Sequence, residues 1–331
     1  MTRSVRGSRD DIAEQYRRFA RNEAHGQSPI YEALAEHVAR SDKLLAFLAS
    51  LPADRQQPNL LFAAVRHVVG LPPNVRALDE AVERDAGAIA AVMRSRKTQT
   101  NEPARCAVLL PAFARLPQPL AILEVGASAG LCLLPDRYGY DYGRHSIAPP
   151  EETRAIAPIF RCDANDLTPL PIALPQIEWR AGIDLNPLSV ASALDMEWLE
   201  TLVWPEQSAR RERLRAAIEI SRQGPPRVFR GDLLKDLETA IRSAPPARTL
   251  VVFHTAVLGY VSGQCERDGF ARTAQALGAA WISNEAPHVY PKIAAKVTGP
   301  VRRDCFLLAV NGEPVAWTGP HGQSIDWFDR G

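Results

Sequence analysis

Residues 124–130 read EVGASAG, and the spacing of the glycines around one serine fits two kinds of chemistry. In the first, Gly126, Ser128 and Gly130 form the G-x-S-x-G turn that presents a serine nucleophile. In the second, Glu124 and the two glycines belong to a loop after the first strand of a doubly wound sheet, where the backbone approaches a bound nucleotide closely. A tight strand-to-helix turn that binds no ligand would also use glycine. The sequence therefore leaves three interpretations of this segment.

Serine hydrolases with this turn form several strands before the nucleophile and take a second oxyanion donor from an upstream loop. Here the chain before Ala121 reads as helical and contains no such glycine-rich loop. His288 and His321 follow Ser128, and acids such as Glu285 are available, so the hydrolase stays an alternative. It would require Ser128 to lie at a strained and exposed turn.

Two aspartates follow later apolar runs in the same way that Glu124 follows the first. Asp184 lies next to Asn186 in GIDLNP, and Asp232 precedes Leu233 in RGDLL. An acid at the first of these positions can accept hydrogen bonds from ribose hydroxyls. An acid at the second can accept one from an adenine amino group, while the next backbone N–H meets a ring nitrogen. Each aspartate could instead cap a helix, but three acids beside one glycine-containing loop favour a nucleoside site.

The distance between the loop and the second acid predicts an insertion. Asp184 lies 58 residues after Gly126, whereas dinucleotide-binding folds place this acid about 20 residues on. The excess falls at about residues 135–178, which read as a loop or small hairpin. Tyr138 in this insertion is a candidate substrate contact.

Polar residues also stand at the ends of the fourth and fifth predicted strands. His254 follows the apolar run VVF and is a candidate general base near neutral pH; it could also bond a backbone carbonyl and shape the pocket. Thr255 is expected to cap a helix. Asn284 and Glu285, in SNEAPH, are expected to face the same crevice as candidate substrate contacts.

A polar segment begins the last helix of the amino-terminal region. Asn101, Glu102 and Arg105 precede the apolar stretch CAVLLPAF. We expect this helix to pack on the sheet domain with its polar start near Gly126 and His254, where the three side chains would contact the substrate. The alternative is that Asn101 and Glu102 only cap the helix.

Composition limits the classes of partner. The 331 residues are 46% hydrophobic and 23% charged, with a net charge of +1, which is ordinary for a soluble globular protein. This balance argues against nucleic acid or an anionic membrane as partner, and neither a membrane span nor a secretory signal is apparent. Five scattered cysteines without a C-x-x-C pair predict no disulfide framework, and no metal site is expected. The sequence predicts a cytoplasmic location and a small-molecule substrate, and leaves the oligomeric state open.

The pattern of apolar residues divides the chain in two. Residues 1–119 predict a helical domain, with helical periodicity in residues 31–49 and 78–93. Residues 120–331 alternate short, continuous apolar runs with possible helices, which is typical of a mainly parallel, doubly wound α/β sheet. The last run, CFLLAVNGEPVAWTG, predicts an antiparallel hairpin. Together these runs predict a Rossmann-like sheet of seven strands.

By its segments SPIYEALA, QTNEPARC, LEVGASAGL, GIDLNP, LVWPEQ, RGDLL, VVFHTAVLGY and WISNE, the chain is identified as a member of a bacterial family, domain of unknown function 2332. The region from about 120 to 320 resembles class I S-adenosylmethionine-dependent methyltransferases. That resemblance implies methyl transfer to a small molecule, with Gly126–Gly130 at the methionine part, Asp184 at the ribose and Asp232 at the adenine. The further cofactor contacts expected are Glu124, Asn186, Leu233 and His254.

The loop and the insertion depart from the methyltransferase pattern, because Ser128 stands where a glycine is common and the insertion is long. A serine hydrolase using Ser128, and a non-catalytic nucleoside-binding protein of the same fold, are the alternatives.

Overall fold

The computed structural model describes residues 8–246 and 248–329. The helices in these ranges are α1 (Arg9–Phe19), α2 (Pro29–Val38), α3 (Asp42–Ala49), α4 (Pro58–Val69), α5 (Val75–Ser95), α6 (Cys106–Ala114), α7 (Ala193–Thr201), α8 (Ser208–Gln223), α9 (Leu237–Arg242), α10 (Gln264–Ala276) and α11 (Pro291–Ala294). The strands are β1 (Leu120–Val125), β2 (Gly139–Asp141), β3 (Ser146–Ile147), β4 (Ile159–Arg161), β5 (Asp163–Ala164), β6 (Ile177–Asp184), β7 (Arg227–Arg230), β8 (Thr249–Thr255), β9 (Ala280–Glu285), β10 (Phe306–Val310), β11 (Glu313–Thr318) and β12 (Ser324–Trp327).

The chain folds into two compact units. One runs up to Thr100 and includes Leu194–Glu212; the other comprises Asn101–Ala193 and the chain from Arg213 onward. Helix α6 therefore belongs to the same unit as the sheet. None of the helices in the described ranges combines the length and apolar character needed to cross a membrane.

The first unit is helical, as its periodicity predicts. The apolar faces of its helices form one core that includes Leu34, Leu48 and Met93. Residues 31–49 form two helices instead of a continuous one, because the Ser41 hydroxyl accepts a hydrogen bond from the backbone N–H of Leu44 and starts α3.

The second unit is built on a sheet whose nine described strands have the order β5-β12-β11-β10-β9-β8-β1-β6-β7. The five strands from β9 to β7 are mutually parallel. Counted along the chain, their order is 3-2-1-4-5, the order of a doubly wound sheet. The mainly parallel sheet and the β10–β11 hairpin are therefore confirmed.

The predicted total of seven strands is not confirmed, because the sheet continues beyond the hairpin. Strand β12 pairs antiparallel with β11, and its Ile325 and Trp327 are buried. Strand β5 of the insertion then adds at the edge beside β12. The alternation in Ser324–Trp327 is the signal for a half-buried strand.

Both faces of the central strands are covered, as expected for parallel strands. Leu123 and Val252 pack into an apolar cluster with Phe270 of α10. On the opposite face, Phe253 meets Phe113 of α6 edge to face, with 5.3 Å between the ring centroids. Because successive strand residues point to opposite faces, these contacts fix which polar side chains share a face at the strand ends.

The insertion forms a small sheet of its own in the order β3-β2-β4. Its hairpin, β2 with β3, agrees with the predicted excursion. Arg180 of β6 makes two hydrogen bonds to the Asp136 carboxylate, at 2.7 and 2.8 Å, and so ties the start of the insertion to the large sheet.

Candidate functional site

The candidate site lies within the second unit, at the carboxyl ends of the parallel strands. The order of the strands reverses between β1 and β8, so this pair marks the topological switch point where doubly wound folds bind ligands. Of the sixteen buried polar or charged residues in the described chain, eleven lie at this edge or on the segments packed over it. Burying a polar group costs free energy unless the group is hydrogen-bonded or paired with a charge, so a concentration of such groups at one edge needs a reason. This edge is therefore the best candidate for function.

The predicted glycine loop follows β1 directly. Gly126, Ser128 and Gly130 all have positive φ, at +72°, +52° and +74°. A Cβ on Gly126 would lie 2.2 Å from Cγ2 of Val257, and one on Gly130 would lie 2.8 Å from Cγ of Pro226. Close packing within the chain therefore requires both glycines, so the glycines alone do not indicate a ligand.

Ser128 has the strained backbone that a nucleophile turn requires but not the exposed side chain. Its φ of +52° is strained for a residue with a side chain. However, the residue is only 3% exposed, and its Oγ has no hydrogen-bond partner in the described chain. Among the described residues, Ser128 thus has no base beside its hydroxyl, and its burial leaves no open approach for a substrate.

Glu124 is the most unusual group at this edge. It is 2% exposed, and its Oε2 has no hydrogen-bond partner within the described residues. Burial raises its pKa well above the ordinary value of 4.5; Cys132 and Asp184 raise it further, and Arg105 opposes them. A carboxyl group in this setting is unsatisfied until a hydrogen-bond donor or a cation reaches it.

Asp184 joins the end of β6 to the loop. One of its carboxylate oxygens accepts from the backbone N–H of Ser128 at 2.8 Å, and the other accepts from that of Asn186 at 2.7 Å. Asn186 thus contributes its backbone to the turn after β6. The next helix begins at Ala193, so Asp184 does not cap a helix near Pro187.

Asp232 lies two residues beyond β7 and is half-buried. Its Oδ1 accepts from the backbone N–H of Leu234 at 2.8 Å, and its own N–H donates to Asp236. These bonds organise the turn that leads into α9. Leu233 packs against the apolar cluster of Leu123 and Phe270.

His254 is fully buried and has partners for both ring nitrogens. The indole N–H of Trp281 donates to Nε2 at 3.0 Å, so the proton of the neutral ring is on Nδ1, which donates to Glu285 at 2.7 Å. The same Glu285 oxygen accepts from the backbone N–H groups of Val257 and Leu258. A general base needs a nitrogen that faces its substrate, whereas Nε2 here faces Trp281. In this arrangement, His254 and Glu285 support the turn after β8.

The polar segment before α6 lies against the loop, near the end of β8. Asn101 accepts from the backbone N–H of Leu131 at 2.9 Å. The Glu102 carbonyl accepts from the Cys132 thiol, and the Glu102 carboxylate accepts from the N–H of Ala104. The two residues thus do more than cap a helix: they hold the segment against residues 131 and 132.

Arg105 reaches the switch-point strand. Its Nη1 donates to the carbonyl and to the hydroxyl oxygen of Thr255, at 3.2 and 3.0 Å. Thr255 therefore accepts from an arginine instead of capping a helix, a role that the sequence interpretation missed. The pairing of Thr255 with a distant arginine has no local sequence signal.

Asn284 is fully buried and lies opposite Thr255 in the register of β8 and β9. Its Oδ1 accepts from the Thr318 hydroxyl at 2.7 Å, and its Nδ2 has no hydrogen-bond partner in the described ranges. Tyr138 is also buried, and its hydroxyl donates to the Leu131 carbonyl just after the glycine loop. Tyr138 thus supports the loop, while Asn284 presents an unused donor.

Metal ligation finds no support in the described part of the chain, which holds no cluster of three or more His, Cys, Asp or Glu side chains suited to an ion. The site is instead a set of buried carboxyl, amide, hydroxyl and guanidinium groups. Such groups bind and orient small polar molecules.

Comparison with known proteins agrees with the family resemblance of the sequence. A family model described as "uncharacterized protein conserved in bacteria (DUF2332)" matches residues 13–73 and 72–327, nearly the whole chain. No curated protein and no solved structure has significant similarity to this chain. On the family match, the chain belongs to the bacterial DUF2332 family.

Proposed function

We propose that this chain binds S-adenosylmethionine at the carboxyl edge of its large sheet and transfers the methyl group to a small molecule. The observation that carries the proposal is Glu124, a buried carboxyl group at the switch point whose Oε2 has no partner among the described residues. The methionine part of the cofactor carries an ammonium group, whose positive charge would lower the raised pKa of this carboxyl group and pair with its ionised form. The 3-2-1-4-5 order of the parallel strands supports the same location.

The other acids support the proposal by position. Glu124, Asp184 and Asp232 lie on or just after β1, β6 and β7, which are consecutive neighbours in the sheet. A ligand that extends along this edge would meet them in turn: methionine, ribose and adenine. The ribose role of Asp184 would add to its bonds to the loop, because a carboxylate oxygen accepts more than one hydrogen bond.

When bound, S-adenosylmethionine supplies a methyl group on an electrophilic sulfonium. The chain then mainly has to align the acceptor with that methyl group and exclude water. Glu124 would hold the amino group, and Asp184 would fix both the ribose and the loop through the N–H of Ser128. The segment that contains Asn101 and Arg105 packs over the same edge and would face the acceptor.

Calorimetry with S-adenosylmethionine and S-adenosylhomocysteine tests the proposal. Glu124→Gln should weaken binding roughly tenfold to a hundredfold, since it removes a charge-assisted hydrogen bond worth about 1.5–3 kcal/mol. Glu178→Gln is the matched control, because Glu178 lies on β6 at the opposite edge of the sheet and is exposed. The proposal fails if neither ligand binds the folded wild-type chain, or if the two variants bind equally well.

Binding must also be separated from turnover. Formation of S-adenosylhomocysteine from S-adenosylmethionine, measured with a pool of bacterial small molecules as acceptors, would indicate an enzyme. Tight binding without any turnover would favour the non-catalytic nucleoside-binding alternative.

A further inference from the structure

A second group of buried polar side chains lies beside the one that contains Glu124. We call Arg105, Thr255, Asn284 and Thr318 the Arg105 cluster; each is at most 6% exposed. Arg105 donates to Thr255, Thr255 is the register neighbour of Asn284, and Thr318 donates to Asn284. The cluster lies on the sheet face that α6 covers, opposite His254.

Asn284 is the member that points to a ligand. Its Oδ1 is satisfied by Thr318, but its Nδ2 is fully buried without a hydrogen-bond partner in the described chain. A buried donor left unpaired is destabilising. It is therefore expected only where a ligand or an ordered water completes the bond.

We infer that the Arg105 cluster binds a carboxylate group of the methyl acceptor. The Asn284 amide N–H is a donor, and the Arg105 guanidinium beside Thr255 adds positive charge; together they favour a carboxylate over an ammonium group. The cluster's Thr255, Asn284 and Thr318 lie on β8, β9 and β11, on the other side of the switch point from β6 and β7. A donor molecule and an acceptor would thus meet across the switch point. In calling the bound molecule a methyl acceptor, the inference rests on the proposed function.

Two carboxyl groups lie near the cluster, those of Glu102 and Glu124, and Arg105 opposes the raised pKa of Glu124. The Glu102 carboxylate accepts from the N–H of Ala104 and lies 3.9 Å from Nδ1 of His321. Arg105 supplies the positive charge next to Thr255.

The turn Gly319–Gly322, between β11 and β12, closes over the cluster. Nε of Arg105 donates to the Pro320 carbonyl at 2.8 Å. Gly322 has a φ of +79°, and a Cβ there would lie 2.1 Å from the Ala104 carbonyl oxygen. The turn thus rests directly on the segment that carries Arg105.

Titration with small carboxylates tests the inference without any cofactor. The probes are acetate, succinate and benzoate, with acetamide, succinamide and benzamide as uncharged analogues, followed by protein-observed NMR. We expect at least one carboxylate to bind the wild-type chain saturably and its amide at least tenfold more weakly. Asn284→Asp keeps the acceptor for Thr318 but replaces the N–H donor with an oxygen, so it should weaken carboxylate binding at least tenfold.

Ser283→Ala is the control, because Ser283 is buried on the same strand and faces the other side of the sheet. It should bind the carboxylate as the wild type does. If Asn284→Asp does not fold, as judged by circular dichroism, Asn284→Ala is used and the same tenfold loss is expected. The inference is overturned if no carboxylate binds the wild type, or if the folded Asn284 variant binds as tightly as Ser283→Ala.

A competition experiment separates this inference from the proposed function. S-Adenosylhomocysteine should bind together with the carboxylate; if it displaces the carboxylate competitively, the cluster belongs to the cofactor site and the acceptor assignment is overturned. If the carboxylate binds at the cluster but S-adenosylhomocysteine does not bind at all, the carboxylate site stands and methyl transfer is refuted.

Discussion

Glu124→Gln should make the second unit more stable near neutral pH, and the gain should depend on pH. Glu124 is buried, and burial is the main cause of its raised pKa, with Cys132 and Asp184 adding to it. Glutamine has the same shape and leaves a neutral polar group in the same place. The substitution therefore removes the titration and changes little else.

The sign and the slope follow from proton linkage. Above pH 4.5, Glu124 is ionised in the unfolded chain but keeps its proton in the folded chain until the pH reaches the raised pKa. Its stabilising contribution is complete below pH 4.5 and is lost as the pH rises through the folded-state pKa. Within that window, the free energy of unfolding of the wild type should fall by about 1.4 kcal/mol per pH unit relative to Glu124→Gln.

Native-state hydrogen exchange of β1 and β8 is the suitable assay, because the chain has two compact units and a single unfolding curve would mix them. The wild type and the variant are compared at half-unit steps from pH 5 to pH 8. The free energy of unfolding of Glu124→Gln should exceed that of the wild type by more as the pH rises. For Glu178→Gln, at an exposed site, the difference from the wild type should not grow with pH. If the difference between Glu124→Gln and the wild type stays constant over this range, Glu124 does not keep its proton in the folded chain.

Three further substitutions test the loop. Gly126→Ala places a Cβ 2.2 Å from Val257 Cγ2 at a φ of +72° and should destabilise the second unit by about 1–3 kcal/mol; Val257→Ala should recover part of this cost in a double-mutant cycle, and equal costs in both backgrounds would contradict the contact. Ser128→Gly relieves a strained φ of +52° and should stay within about 1 kcal/mol of the wild type with unchanged S-adenosylhomocysteine affinity; fluorophosphonate labelling of Ser128 that this variant abolishes would support the hydrolase instead. Asp184→Ala leaves the N–H groups of Ser128 and Asn186 without their acceptor and should cost roughly 1–3 kcal/mol both in stability and in cofactor binding; unchanged affinity in a folded variant would exclude the ribose role.

The central sheet could be predicted because its signal is local. The continuous apolar runs of β1 and β8 are buried on both faces, and such runs favour parallel strands. The antiparallel hairpin follows from two apolar runs around Asn311 and Gly312, both of which have positive φ.

The edges of the sheet could not be predicted in the same way. The alternation in β12 extends over only four residues and β5 has only two, so both are short for a pattern-based prediction. The pairing of β5 with β12 joins segments far apart in the chain, Asp163 with Ser324, so no local pattern announces it. For this reason, the predicted sheet was two strands smaller than the observed one.

The site shows the same division between local and distant information. The positions of Glu124, Asp184 and Asp232 at strand ends follow from the runs that precede them. The partners of His254, in contrast, are Trp281 and Glu285 on the neighbouring strand. A histidine at a strand end reads equally well as a base or as part of a buried network until the register of that neighbour is known.

A crystal structure of the chain with S-adenosylhomocysteine tests the proposed cofactor site most directly. We expect the ligand to lie at the carboxyl edge of β1, β6 and β7, with its amino group within hydrogen-bond distance of the Glu124 carboxylate and its ribose at Asp184. A complex with the ligand bound elsewhere, and with Oε2 of Glu124 still unpaired, would contradict it.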